Sequence, residues 1–341
     1  MSGGTPDRRL RVAVAGVGAF GKNHARVYAE LPGAELVAVV DRDPAARAAA
    51  AEKHGCAALS DPSELPGDLD AVSVAVPTVH HAAVAVPLLK RGIACLVEKP
   101  FAATLADGEA MVAAARESGA VLATGHIERF NPAIAAVDGT TLRPRFLEVN
   151  RIAPFSFRSA DVGVVLDLMI HDLDLILHLA GSEPVRVDAV GVPVLTAHED
   201  IANARIEFAN GCVADVTASR VGTKTERKLR LFSGDAYMVL DFALRQGWTY
   251  RKSPGLTLEK VMALKAGAKN LADLKGAVFG DLLQVEPVHI SESEPLKAEL
   301  DSFLNAVRTK GRPVVSGEDG LRALRLALQV VDCIRERLAR G

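Results

Sequence analysis

Between residue 10 and about residue 125, hydrophobic positions come in short continuous runs separated by alanine-rich stretches. LRVAVAG, ELVAVVD, DAVSVAV and ACLVEK are too uniformly apolar for strands with one wet face, so they predict parallel strands buried on both sides. HARVYAEL, PAARAAAAEKHG, HHAAVAVPLLKRG and DGEAMVAAARESG lie between and after them, have helical composition and stop at Gly or Pro. Strand and helix alternating at this pitch predict a doubly wound α/β domain with helices on both faces of its sheet.

After Gly125 the period changes to two. RPRFLEVNRIA, VRVDAVGVPVL, ANARIEFANG, CVADVTASRV, RKLRLFSG and AYMVLDF alternate apolar and polar positions. They predict an open-faced, mostly antiparallel sheet with turns at ANG and SGD and helices on one side. Two amphipathic helices, EPLKAELDSFLNAVRT and EDGLRALRLALQVVDCIRERLA, close the chain. Residues 250–285, rich in Lys, Gly and Ala, follow neither pattern and are expected to form an excursion. The expected division is residues 9–125 for one domain and 126–341 for the other. A sheet covered on one face also predicts self-association through its exposed face.

One segment of the second half breaks its own pattern. VVLDLMIHDLDLILHL, Val164 to Leu179, is mostly apolar yet carries Asp167, His171, Asp172, Asp174 and His178. At about 100° per residue, Asp167, His171, Asp174 and His178 share one helical stripe, and Asp172 falls on another face. Such a stripe is either the wet side of an amphipathic helix or the wall of a cleft in which acid and base groups are tuned.

Composition narrows the choice. The 341 residues carry a formal net charge of -2, which offers no basic excess for nucleic-acid phosphates. The four cysteines, Cys56, Cys95, Cys212 and Cys333, are far apart. They read as small buried hydrophobes in a reducing compartment rather than as a disulfide framework or a zinc site. The N-terminal MSGGTPDRRL has two arginines but no apolar core of signal-peptide length after them, and no window reaches the roughly 18 apolar residues of a membrane span, so a cytoplasmic protein without membrane contact is expected.

The first predicted strand runs directly into AGVGAFGKNHARVY, where Gly16, Gly18 and Gly21 form G-x-G-x-x-G at a helix start. The first glycine permits the tight turn, the second admits a pyrophosphate to the backbone, and the third lets helix and strand pack closely. Asp41 ends the next strand, where a carboxylate accepts hydrogen bonds from an adenosine ribose and repels a 2′-phosphate, favouring NAD over NADP. Arg42 beside it softens that preference. Glu98-Lys99-Pro100 ends a later strand, on the ligand side of such a sheet. There a lysine could orient a reacting hydroxyl, or simply pair with Glu98 at the surface.

The glycine turn, Val76-Pro77-Thr78 with His81 behind it, Glu98-Lys99-Pro100 and Asp167-x-x-x-His171 occur in this order. Together they resemble the Gfo/Idh/MocA family of oxidoreductases over nearly the whole chain. The resemblance implies a Rossmann domain followed by an open-faced sheet domain, NAD as cofactor, and oxidation of a sugar or cyclitol hydroxyl. It implies cofactor contacts from Gly16, Gly18, Ala19, Phe20, Gly21, Asp41, Arg42, Pro77, Thr78, His81, Glu98 and Lys99. It also implies catalytic roles for Lys99, Asp167 and His171: the imidazole takes the hydroxyl proton, Lys99 orients the oxygen, and Asp167 positions the substrate or tunes the ring. Asp174 is a further support for His171.

GHIERFNPA and DVGVVLDLMIHDLDL are most similar to the nucleotide-sugar branch of the family, which implies UDP-N-acetylglucosamine oxidised at C3. Arg129, Asn131 and Arg158 are the added candidates for substrate contacts, and Arg143, Arg145 and Arg151 either meet a diphosphate or are solvated strand residues. Free inositol or a hexose is the alternative substrate, and a non-catalytic dinucleotide-binding regulator the alternative to an enzyme. A metal at His171, Asp174 and His178 would need further ligands, so none is expected. His178 and Asp172 are expected to be structural. The resemblance also implies a homodimer or homotetramer.

Overall fold

The continuous apolar runs form the parallel sheet they predict. In the computed structural model, which describes residues 8–340 apart from 139, 141, 157–161, 254–256, 258, 260 and 264–281, the first sheet has six strands. They are β1 (Leu10–Ala15), β2 (Ala34–Val40), β3 (Ala57–Leu59), β4 (Ala71–Val74), β5 (Ala94–Glu98) and β6 (Leu122–Gly125). All pair in parallel in the order β3-β2-β1-β4-β5-β6. The helices between them are α1 (Gly21–Glu30), α2 (Pro44–His54), α3 (His81–Lys90) and α4 (Leu105–Ser118). Asp43 caps α2 through the amide of Ala45 and Thr104 caps α4 through that of Asp107, each satisfying an otherwise orphaned donor.

In the second sheet the order is β14-β13-β12-β11-β7-β10-β9-β8. Its strands are β7 (Phe146–Ile152), β8 (Pro184–Val192), β9 (Ile201–Phe208), β10 (Val213–Ser219), β11 (Glu226–Phe232), β12 (Ala236–Asp241), β13 (Gln246–Lys252) and β14 (Leu283–Pro287). Only the central pair β10 and β7 is parallel. β13 and β14 border the stretch expected to be an excursion; Trp248↔Pro287 and Tyr250↔Val285 pair them in register, and the residues between belong mostly to the undescribed set.

The period of two sorts the side chains of this sheet. Leu147, Val149, Ala204, Ile206, Ala214, Val216, Leu229 and Leu231 are buried on one face. Against the sheet lies α6 (Ile170–Ala180), in contact with β7 and β10. α5 (Pro132–Asp138) precedes the sheet, and α7 (Pro295–Thr309) and α8 (Gly317–Leu338) close the chain. The last turns of α8 reach β8, where Arg337 pairs with Asp188. The opposite face of the sheet is mixed rather than broadly apolar. Phe146, Phe232, Tyr237 and Tyr250 stack in a row with ring centroids 5.5, 4.5 and 5.3 Å apart, but Arg205–Asp215 and Arg230–Glu148 ion pairs occupy other positions.

Two compact units result, and they differ from a single cut after Gly125. The first takes in the residues up to Phe130 together with Ser293–Leu326; the second runs from Asn131 to Glu292 and resumes at Ala327. The cause lies in α7, whose Leu300, Phe303 and Leu304 are buried in one core with Val12, Val14, Tyr28 and Leu36. An amphipathic pattern shows that a helix needs a core, not which core it joins.

Charge inside the second unit is neutralised by placement. Arg151 of β7 is buried and grips Asp172 of α6, with Nη2 2.7 Å from Oδ1 and Nε 2.8 Å from Oδ2. Arg151 is therefore neither a solvated strand residue nor a diphosphate ligand. Asp172 is structural, as expected, and ties α6 to the sheet. Removing one member of such a pair strands the other charge in a dry interior. Asp172→Asn is therefore expected to lower the unfolding free energy by about 3 kcal/mol in urea titrations. A loss much below about 1 kcal/mol would show that the pair does not hold the helix.

Candidate active site

β1 ends at Ala15 and the chain turns at Gly16, whose φ of 88° lies in the left-handed region. A β-carbon on Gly16 would stand 2.6 Å from the Ala75 carbonyl oxygen, and one on Gly21 only 1.7 Å from that of Gly16. The first and third glycines are therefore required by main-chain crowding where β1 and β4 part. That is the switch point of the sheet, the place where such folds bind ligands. Gly18 differs: a β-carbon there would meet nothing within 4 Å, and Gly18, Ala19 and Phe20 are exposed. No side chain caps the start of α1.

At the end of β2, the Asp41 carboxylate accepts the Val17 amide at 2.8 Å and the Asp43 amide at 2.9 Å. It thereby fixes the glycine turn from the side, with Arg42 exposed next to it. An open, glycine-lined turn at a helix start beside a half-buried carboxylate is a donor and acceptor set that fits a dinucleotide's diphosphate and ribose.

Pro77 is exposed and Thr78 half-buried at the start of a short turn, Thr78–His80. His81 behind them is buried and spends itself on main chain: Nε2 lies 2.9 Å from the Val76 carbonyl and Nδ1 3.2 Å from that of Phe101. Burial pushes its imidazole below the ordinary histidine range, and the neutral ring has one N–H to donate to one of these two carbonyls. It braces the Val76-Pro77-Thr78 loop. Lys99 is half-buried immediately after β5, and its amide donates to Glu98 Oε2 at 3.2 Å.

Arg129 is half-buried and reaches the Val314 carbonyl at 3.4 Å. Asn131 accepts the Ala133 amide at 3.1 Å and so starts α5. Arg143 and Arg145 are exposed ahead of β7, and Arg158 lies outside the described residues.

In the second unit the polar stripe divides. Val165–Met169 form a π turn and α6 starts at Ile170, so Asp167 stands on a wider turn than the uniform 100° step assumes. Asp167 and His171 are both half-buried, at and just after this wide turn. Asp174, one turn further on, is buried. His178 plays a different part, with its Nε2 2.7 Å from Asp138 Oδ1, tying the end of α6 to α5. Among the described residues no cluster of three or more His, Cys, Asp or Glu is placed to hold a metal ion, and no helix is long and apolar enough to cross a membrane.

Sequence reasoning passed over the partners of Glu98. His24, on α1 three residues after Gly21, lies with Nε2 2.9 Å from Glu98 Oε1 and Nδ1 3.2 Å from Ser73 Oγ. The Tyr28 hydroxyl is 2.8 Å from the same Ser73 oxygen. A histidine on the sheet-facing side of the first helix was the available signal.

Comparison with known proteins agrees with this geometry. Residues 10–126 match the model of an oxidoreductase family with an NAD-binding Rossmann fold, and residues 133–237 match that of the GFO/IDH/MocA C-terminal domain. The chain is 37% identical over 322 residues to UDP-N-acetylglucosamine 3-dehydrogenase of Acidithiobacillus ferrooxidans, covering 94% of this chain and 96% of that one. A solved structure of that enzyme has a TM-score of 0.85 at 36% identity and covers 96% of this chain and 97% of its own. Inositol 2-dehydrogenase of Rhizobium meliloti is 27% identical over 348 residues, covering 96% of this chain and 98% of that one.

Gly18 and Gly21 should respond differently to one added methyl. Gly21→Ala, with its β-carbon forced onto the Gly16 carbonyl, is expected to lose about 2 kcal/mol or more of stability, whereas Gly18→Ala should unfold within about 0.5 kcal/mol of the unaltered protein. Thermal denaturation of both variants compares them, and equal losses would contradict the crowding described.

Proposed function

Because the chain belongs to the Gfo/Idh/MocA family of oxidoreductases, we propose that it oxidises a secondary hydroxyl of a nucleotide sugar, UDP-N-acetylglucosamine at C3, to the keto sugar. The observation that carries this reading is 37% identity, over 94% of the chain, to a dehydrogenase named for that reaction. The half-buried Asp167 and His171 agree with it. The keto sugar would feed a transaminase in nucleotide-sugar metabolism of the kind that builds lipid A.

NAD, when bound, supplies the acceptor for the hydrogen that leaves the carbinol carbon. Gly16, Gly18, Ala19, Phe20 and Gly21 present the turn that receives its diphosphate, and Asp41 accepts from its ribose while anchoring that turn. Arg42, Pro77, Thr78, Glu98 and Lys99 border the same ends of the strands. His171 takes the hydroxyl proton, since an imidazole exchanges protons near neutral pH. Lys99 orients the hydroxyl oxygen by donating to it, and Asp167 positions the sugar. Arg129, Asn131 and Arg158 are the further residues assigned to the substrate, the arginines to its diphosphate. The four cysteines are free in the structure, which suits a reducing cytoplasm.

We infer a homodimer or homotetramer formed through the sheet face that carries the stacked Phe146, Phe232, Tyr237 and Tyr250. Light scattering is expected to show a dimer or larger species at micromolar concentration; monomer alone would refute the association.

Absorbance at the NADH band tests the reaction. Turnover is expected with UDP-N-acetylglucosamine and not with myo-inositol or glucose. Turnover only with a free polyol would overturn the substrate, in line with the inositol dehydrogenase relative. NAD binding without turnover of any of them would favour a dinucleotide-binding regulator. His171→Ala should lose about a hundredfold or more in kcat while binding NAD normally. Asp41→Ala should weaken NAD about tenfold by calorimetry. Near-normal turnover in His171→Ala would remove it as the base.

A further inference from the structure

Glu98, its side chain 14% exposed, and Glu299, 1% exposed, are acids whose protons the proposed reaction does not use, and they are treated in opposite ways. Glu98, the last residue of β5, accepts from His24 Nε2 at 2.9 Å through one oxygen and from the Lys99 amide at 3.2 Å through the other. His24 is itself braced by Ser73 and Tyr28, and all three are buried. Gly125 on the neighbouring strand leaves the room this carboxylate occupies: a β-carbon there would lie 2.9 Å from Glu98 Oε1. On α7, neither carboxyl oxygen of Glu299 has a hydrogen-bond partner among the described residues.

The groups that face Glu98 come from four directions: His24 on α1, His81 on α3, Glu299 on α7 and Lys99 at its own strand end. Burial works to push the Glu98 carboxyl up. The hydrogen bond and charge of His24, the charge of Lys99 and the Lys99 amide outweigh it and hold Glu98 below the usual carboxylate range. Glu299 has no such help, so burial and the neighbouring Glu98 charge push it well above that range. Of the two acids, the one whose charged form its neighbours favour is the one next to Lys99. Keeping a charge away from water is costly, and a glutamine would keep a hydrogen bond to His24 without that cost. The charge itself therefore needs a use.

We propose that Glu98 is a positioning residue that, clamped by His24, fixes the main chain at the end of β5 and supplies the counter-charge that keeps the Lys99 side chain an ammonium. It touches neither sugar nor reacting carbon and acts through Lys99. This rests on the reading that Lys99 donates to the reacting hydroxyl, but its test needs no substrate.

The rate at which acetic anhydride acylates Lys99, followed by peptide mass spectrometry across pH, reports when the amine loses its proton. In Glu98→Gln the midpoint is expected to fall by about one pH unit, because an opposite charge beside the ammonium is gone. The control is Glu299→Leu, which removes an acid whose charged form burial disfavours and should leave the midpoint unmoved. Superimposable profiles for Glu98→Gln and the unaltered protein would overturn the proposal. So would an equal shift in Glu299→Leu, which would put the charge on Glu299. Should Glu98→Gln fail to fold, carboxyl carbon-13 spectra of the unaltered protein decide: an ionised Glu98 and a protonated Glu299 at neutral pH support the assignment, and a protonated Glu98 refutes it. In the same variant the alkaline limb of kcat/KM should move with the acylation midpoint. An acylation shift without turnover of any sugar would leave the role of Glu98 standing and refute the substrate reading alone.

Discussion

The first unit depends on main-chain segments coming closer than side chains allow. Where β1 and β4 part, Gly16 lies so near Ala75, and Gly21 so near Gly16, that a methyl group at either would collide with a carbonyl. That closeness sets the direction in which α1 leaves the sheet. The direction of α1 in turn delivers His24 to Glu98 and Tyr28 to Ser73. It also leaves the loop at Gly18 open and lets the Asp41 carboxylate meet the Val17 amide. A pattern usually explained by what a pyrophosphate needs is thus explained first by what the backbone needs.

The second unit solves a different problem, that of presenting polar groups from an apolar helix. α6 is buried along most of its length, and its hold on the sheet includes an ion pair, Arg151 to Asp172, rather than apolar contact alone. With the helix body fixed by that pair and its end tied through His178 to Asp138, the variable part is its beginning. There the π turn at Val165–Met169 widens the backbone and leaves Asp167 and His171 half-buried. Single wide turns of this type recur at functional sites because they re-aim side chains without ending the helix.

What the sequence made legible follows from how far apart the interacting residues are. The strands and the glycine turn were readable because their causes are local: apolar runs, a period of two, and glycines at fixed spacing. Asp41 was readable because a fixed count of residues separates it from the turn. The partners of Glu98 were not, since His24 is 74 positions away and no periodicity links them. α7 announced an apolar face but not its core, and the π turn defeated a count that assumes uniform α-helical steps. Nor does any local pattern show that the His81 ring meets the main-chain carbonyls of Val76 and Phe101, or that Arg151 is buried against Asp172.

Inward-facing acids show why residue type alone misleads. Asp172, Glu98 and Glu299 are all largely withdrawn from water, yet their states are set by their neighbours. Asp172 meets a guanidinium, which cannot give up its charge, in a pair buried from water. Glu98 meets an imidazole and a lysine, both of which exchange protons, so its charge is coupled to groups that titrate. Burial and the neighbouring Glu98 charge push the Glu299 carboxyl well above the usual carboxylate range. Only the second arrangement can pass a change of protonation to its surroundings, and it is the one at a strand end of the cofactor-binding sheet. The bidentate ion pair holds a helix against its sheet, whereas the Glu98 cluster holds the strand end that carries Lys99.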